Sequence, residues 1–194
     1  MDNMPNRGQL SPESTNNILP IARRKALNRS SLVAAGIVLA AFLFFATAIR
    51  DGHDWGGDYA QYILHAQALV QGLDYAPPPG FIVNPYLVWV PPAYPPFYPV
   101  CIAAIVGLFG LNFILLKLQI VLFFALSVAA YWFVLRTNLP SRVAVGALAF
   151  LAFSPYYLKY TNKVLTEIPF LAVSLLTILV AERFFREKSS LLSA

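Results

Sequence analysis

Two acidic residues sit at the edges of long apolar runs. Asp58 lies in Gly56-Gly57-Asp58-Tyr59-Ala60-Gln61-Tyr62, shortly after the first run, and Glu167 lies in Thr166-Glu167-Ile168-Pro169, at the head of the last. A carboxylate at that depth is in water but beside lipid. Buried at the head of a span it is costly unless it is paired or meets water, and a chain acting on a lipid-borne substrate has a use for it at that depth. Sharing one cavity, the two acids can hold a cation or a phosphate-bound cation, with Lys159 or Lys163 neutralising phosphate. Each acid also has a plainer reading. Asp58 with Gln61 three residues on, after two glycines, reads as a capping box, and the helix dipole favours the anion in either role. Lys163, four residues before Glu167, can pair with it across one helical turn.

From Asp58 the chain reads as a helix running to Gly72. Residues 58, 62, 65 and 69 share one face, while Tyr59, Ile63, Ala66 and Val70 form an apolar stripe beside it. The pattern predicts a helix on the membrane surface, with the stripe in the interface and Asp58, Tyr62 and His65 toward water or protein. Tyr62 and His65 thereby join Lys159 and Lys163 as candidate substrate-binding residues, with His65 a hydrogen-bonding residue more readily than a ligand or base. Asp51, His53, Asp54, Asp58 and His65 match no tight ligand spacing, so no dedicated metal site is expected.

The elements that must position these groups are membrane helices. Of the 194 residues 58% are hydrophobic and 12% charged, too apolar for a soluble domain, so membrane lipid is an expected partner. The net charge of +5 does not mark a nucleic-acid binder. Ten of the 14 Lys and Arg lie in the N-terminal arm, one short loop and the C-terminal tail, where they act as topology signals. Cys101, the one cysteine, says nothing firm about redox compartment.

Residues 1–30 read as a disordered cytoplasmic arm, 31–185 as the membrane domain and 186–194 as a cytoplasmic tail. Ser31–Ile49 has 19 residues without a charge, close to the roughly 20 that a bilayer core requires. Ala46-Thr47-Ala48 gives a cleaved signal peptide as the competing reading, against which the long arm and long apolar run both argue. Leu118–Leu135, Val143–Leu158 and Val164–Ala181 are the further spans. Phe97–Phe109, at 13 residues, is too short to cross and reads as re-entrant or interfacial. With that segment not crossing, basic residues divide ten inside to four outside; with it crossing, eight to six. The expected fold is therefore all-α, with four transmembrane helices, one short re-entrant or interfacial helix and an external loop over 50–117. The N-terminus is then cytoplasmic, and loops 50–117 and 159–167 share the outer side. Within the long loop, residues 76–99 hold most of the 15 prolines, interleaved with aromatics that suit an interfacial belt or a face for a sugar or isoprenoid chain.

Asp58-Tyr59-Ala60-Gln61-Tyr62 running to Ala66 and Gly72, the stretch Pro91-Pro92-Ala93-Tyr94-Pro95-Pro96-Phe97-Tyr98-Pro99, and Ser154-Pro155-Tyr156-Tyr157 before Thr166-Glu167 appear in that order along one hydrophobic chain. Over most of 31–185 the sequence resembles the N-terminal portion of the GT-C superfamily of membrane glycosyltransferases. The likeness is to the branch of protein O-mannosyltransferases, aminoarabinose transferases and bacterial proteins of the dolichyl-phosphate-mannose mannosyltransferase type. The resemblance implies that Asp58 is the first-loop aspartate, a general base or acceptor-positioning group, and that Glu167 is the second-loop acid. It implies transfer of a sugar from a polyprenyl-phosphate donor to an extracytoplasmic hydroxyl or amine, generally with inversion, in a bacterial inner membrane.

This chain has Tyr59 where relatives often carry a second acid, which leaves a divalent cation open. It has Tyr94 where some place Lys or His, which leaves the phosphate contact open. Such enzymes usually have many more spans, so the chain is expected to be truncated, a fragment, or half of a split enzyme completed by a second polypeptide, and inactive alone. The alternative is a non-enzymatic membrane protein, a transporter subunit or assembly factor that uses the external loop for partner binding.

Overall fold

The computed structural model describes residues 19–53, 58–76 and 94–192, with side chains described for 29–53, 58–76 and 94–186. The described residues form seven helices and no strand: α1 (Leu19–Thr47), α2 (Tyr59–Gln71), α3 (Phe97–Phe109), α4 (Phe113–Asn138), α5 (Ser141–Ala152), α6 (Tyr156–Thr161) and α7 (Glu167–Leu192). Three of them are long and apolar enough to cross a membrane: Arg29–Thr47 within α1, α4, and Glu167–Arg186 within α7. The protein is an integral membrane protein built on these helices.

α1 begins at Leu19, inside the segment expected to be an unstructured arm; the rest of that expectation, residues 1–18, lies outside the described residues. α2 stops at Gly72, whose φ of +67 no side chain favours, and Leu73 N–H reaches back to Ala68 C=O at 2.9 Å to close the last turn. α4 is opened by Asn112, whose Oδ1 accepts from Ile114 N–H and Leu115 N–H at 3.0 and 3.2 Å. α3 and α7 each tolerate a proline in the first turn, Pro99 and Pro169, because the N–H it lacks has no helical acceptor there.

The expected single segment Val143–Leu158 is broken. α5 ends at Ala152 after 12 residues and α6 starts at Tyr156. Pro155 cannot donate to the preceding turn and disfavours helix at Ser154, so continuous apolarity does not become a continuous helix.

α4 is the central pillar, and Leu116, Ile120, Val121, Phe124 and Val128 on it are fully buried. Phe45 of α1 meets Phe124 edge to face at 4.8 Å, and Tyr157 of α6 lies 4.6 Å from the same ring. Ala34 and Ala41 of α1, and Ala144 and Ala152 of α5, are buried to within 1%. Small residues at such contacts let helix backbones approach closely, which is what holds helices together where lipid supplies no hydrophobic drive.

The helix directions follow from contacts at the two ends. Lys117 Nζ, at the start of α4, donates to the carbonyls of Arg50 and Gly52, just past the end of α1, at 2.7 and 2.6 Å. α1 and α4 are therefore antiparallel. Asn162, between α6 and α7, accepts from Arg50 N–H at 2.8 Å and donates to Ala48 C=O at 3.1 Å. At the opposite end Asn138 donates to Glu182 Oε1 at 3.3 Å, so α4 and α7 run parallel and α5 with α6 carries the chain back between them.

α2 and α3 pack together at the Arg50 end through Tyr62 and Tyr98, ring centroids 5.4 Å apart. The stripe expected in the lipid interface is placed otherwise. Tyr59, Ile63 and Ala66 are buried against protein, and only Val70 is open. The period marked an apolar face correctly, but neighbouring helices cover it instead of lipid.

Candidate functional site

Asp58 occupies the position before α2, yet its side chain caps nothing; only its main-chain carbonyl bonds to Gln61 and Tyr62 N–H. The side-chain oxygen of Gln61 is buried without a hydrogen-bond partner among the described residues, so no capping box forms. Asp58 Oδ1 instead accepts from the Tyr94 hydroxyl at 2.7 Å. The carboxylate is exposed, with one oxygen held and the other without a hydrogen bond among the described residues.

Tyr94 is fastened at three points. Its N–H donates to His65 Nε2 at 2.9 Å, its carbonyl accepts from the Tyr75 hydroxyl at 2.6 Å, and its own hydroxyl reaches Asp58. Accepting at Nε2 makes His65 neutral, and burial lowers its pKa below the ordinary 6.5. Burial, with the Asp58 charge and hydrogen bond adding to it, raises the Tyr94 phenol far above the usual tyrosine value, so it remains a donor.

Tyr62 links α2 to the segment before α7. Its hydroxyl lies 3.3 Å from Thr166 Oγ1, next to Glu167. Burial raises the Tyr62 pKa first, the Thr166 bond opposes this, and the charges of Asp58 and Glu167 both add to the rise. The Tyr62–Thr166 contact brings together the segments that carry the two acids, although 109 positions separate Asp58 from Glu167 in sequence. A cavity of about 410 Å³ opens there, lined by Tyr62, Pro95, Tyr98, Thr166, Pro169 and Phe170 among others. Tyr98 is 2% exposed and its hydroxyl has no partner among the described residues.

Glu167 is exposed and borders an adjoining recess of about 260 Å³ with Tyr156, Tyr157 and Tyr160. The expected pairing with Lys163 is not made. Lys163 Nζ turns to the Tyr59 hydroxyl at 2.8 Å and stands 5.2 Å from that ring's centroid. Lys159 is exposed, 6.0 Å from the Tyr160 ring centroid. Lys163 thus reaches the α2 side of the site, whereas Lys159 stays with α6.

Among the described residues no three His, Cys, Asp or Glu side chains gather as a metal site. Of the acid and histidine cluster, His53 stacks on Phe113 at 4.5 Å, His65 faces Tyr94, and Asp54 lies outside the described residues. Gly56, Gly57 and the proline-rich stretch over 77–93 are also outside them.

Sequence reasoning missed Asn162, which ties the loop preceding Asp58 to the loop preceding Glu167, and Lys117, which ties the first of these to the head of α4, and it marked Tyr94 only within the proline-rich stretch and as a departure from relatives. Lys117 carried a signal, a lone charge at the head of an apolar run, but it was used there for topology alone. Comparison with known proteins adds one finding. A family model described as dolichyl-phosphate-mannose-protein mannosyltransferase matches residues 93–194, just over half of the chain. No curated protein and no solved structure matches.

Proposed function

Since the chain belongs to the dolichyl-phosphate-mannose-protein mannosyltransferase family, a family of membrane glycosyltransferases, we propose that it acts at the Asp58 end on a polyprenyl-phosphate-linked sugar and a hydroxyl acceptor. Asp58 accepts the proton of the acceptor hydroxyl through the oxygen that Tyr94 leaves open. The acceptor oxygen attacks the anomeric carbon, the bond from that carbon to the phosphate oxygen breaks, and polyprenyl phosphate departs with inversion. A carboxylate in this role contributes roughly 10²–10⁴ in rate. Lys163, beside Tyr59, balances the departing phosphate, and Glu167 borders the adjoining recess of about 260 Å³ from α7. The observation that carries the reading is that Tyr62, four residues after Asp58, meets Thr166, the residue before Glu167, at the edge of a 410 Å³ apolar cavity able to take the first isoprenoid units.

The chain crosses the bilayer four times in this reading: α1, α4, the two-piece α5–α6, and α7. α3 does not cross, which the Lys117 contacts with Arg50 and Gly52 support by setting both ends of segment 50–117 together. The Asp58 end is extracytoplasmic, and the arginine-rich end is cytoplasmic.

The test is transfer from a polyprenyl-phosphate-linked mannose to a serine- and threonine-containing peptide in membranes holding the full chain. Asp58→Asn should reduce transfer at least about 100-fold. Turnover equal to that of the unaltered chain would reject Asp58 as base.

A further inference from the structure

The end of the molecule farthest from Asp58 carries a groove that the transferase reading does not use. Between α1 and α4 a cavity of about 470 Å³ runs from Phe42 and Leu122 down to Ser31 and Arg136. Its walls are apolar along their length, with Ala34, Ala35, Ala125 and Ala129 leaving the space. The charge comes at one end only, where Arg136 forms the mouth. Arg136 also borders a second recess, of about 140 Å³, with Arg183 and Arg186 of α7.

Arg136 lies over the Phe133 ring, 4.6 Å from its centroid, and Phe133 lines both cavities. Among the described residues no carboxylate pairs with Arg136; the one acid of the recess, Glu182, bonds to Asn138 and lies 3.5 Å from Arg186. The three arginines sit where α1, α4 and α7 leave the apolar layer, the level of lipid headgroups. An apolar slot ending in a guanidinium has the chemistry of one acyl chain and one phosphate.

We infer that this is a binding site for an anionic glycerophospholipid, with one acyl chain along the α1–α4 groove and the headgroup phosphate on Arg136, flanked by Arg183. A zwitterionic lipid fits the same slot, but the ammonium of its headgroup meets the arginine cluster. Cations at a membrane surface favour anionic lipid by a factor of about fivefold per residue, and of the three arginines Arg136 is the one that lines the groove, so selectivity falls on it.

Native mass spectrometry of the full chain, released from nanodiscs of equal phosphatidylglycerol and phosphatidylethanolamine, tests this. Phosphatidylglycerol adducts should exceed the other about fivefold. Arg136→Gln, a surface change, should level the two, and Ala129→Leu, which fills the groove, should remove both while leaving the helical circular-dichroism spectrum unchanged. Equal adducts on the unaltered chain, or a preference that survives Arg136→Gln, would overturn the assignment. So would a doubled mass that Ala129→Leu abolishes, which would make a second copy of the chain the occupant.

Discussion

Replacing Tyr94 with Phe removes one hydroxyl and nothing else, since its N–H and carbonyl remain free to meet His65 and Tyr75. What is lost is the 2.7 Å bond to Asp58 Oδ1. A hydrogen bond to a charged acceptor is worth about 1.5–3 kcal/mol, and because Asp58 is exposed the lower figure applies. Taken wholly as lost orientation of the carboxylate in the transition state, about 1.4 kcal/mol is tenfold in rate. The variant should therefore turn over about tenfold more slowly in the peptide mannosylation assay, with KM for the lipid-linked donor unchanged. The decisive comparison is a double-mutant cycle. If Tyr94 acts through Asp58, Tyr94→Phe should change nothing further in an Asp58→Asn background, because residues that act as a unit are not additive. A tenfold loss repeated in that background would show that Tyr94 only supports the loop. A Tyr94→Phe rate within twofold of the parent would refute the orientation argument altogether.

Further outcomes follow from the same geometry. His65 is neutral in the fold and its pKa is depressed, so the folded chain binds fewer protons there than the unfolded chain. Stability should be full above about pH 6.5 and fall as pH drops through the lowered value, a loss that His65→Gln should flatten in thermal melts between pH 7.5 and 5. Lys117→Met should cost about 2–3 kcal/mol by leaving the Arg50 and Gly52 carbonyls unmet, read as a lower melting temperature in detergent. An unchanged melt would contradict that clamp. Single cysteines at Asp74 and Leu139, probed with an impermeant maleimide, should label from opposite sides of the membrane; labelling from one side would refute the proposed four-crossing path.

The parts of the fold that were legible in the sequence are those with local causes. Gly72 ends α2 because only glycine accepts its backbone angle cheaply, and α3 has the bounds that its flanking Pro96 and Gly110 dictate. The break between α5 and α6 was overlooked because apolarity runs unbroken through it, and Ser154-Pro155 was the one signal. The α2 stripe shows the limit of periodicity: it marks which face is apolar, not whether lipid or protein will cover it. The candidate site divides in the same way. Asp58 and Glu167 stood out because charge is rare in this chain. Tyr94 meeting His65 did not, because the bond joins a main-chain donor to a side chain 29 residues away, and no side-chain pattern encodes that.

Asp58 and Glu167 belong to different loops, so the approach of those loops, seen where Tyr62 meets Thr166, must be imposed from outside the pair. The imposing contacts are main-chain ones. Lys117 gathers the carbonyls of Arg50 and Gly52 onto the head of α4, and Asn162 takes Arg50 N–H and Ala48 C=O on behalf of the segment that leads into Glu167. Both clamps grip the same few residues after α1, and those residues lead into the loop that carries Asp58. The buried lysine is costly in an apolar bundle, and its two charge-assisted bonds are what offset that cost. Exchanging either clamp for an apolar residue should therefore slow transfer without touching an acid or a substrate group, because the register between the two loops would loosen while each loop kept its own helix.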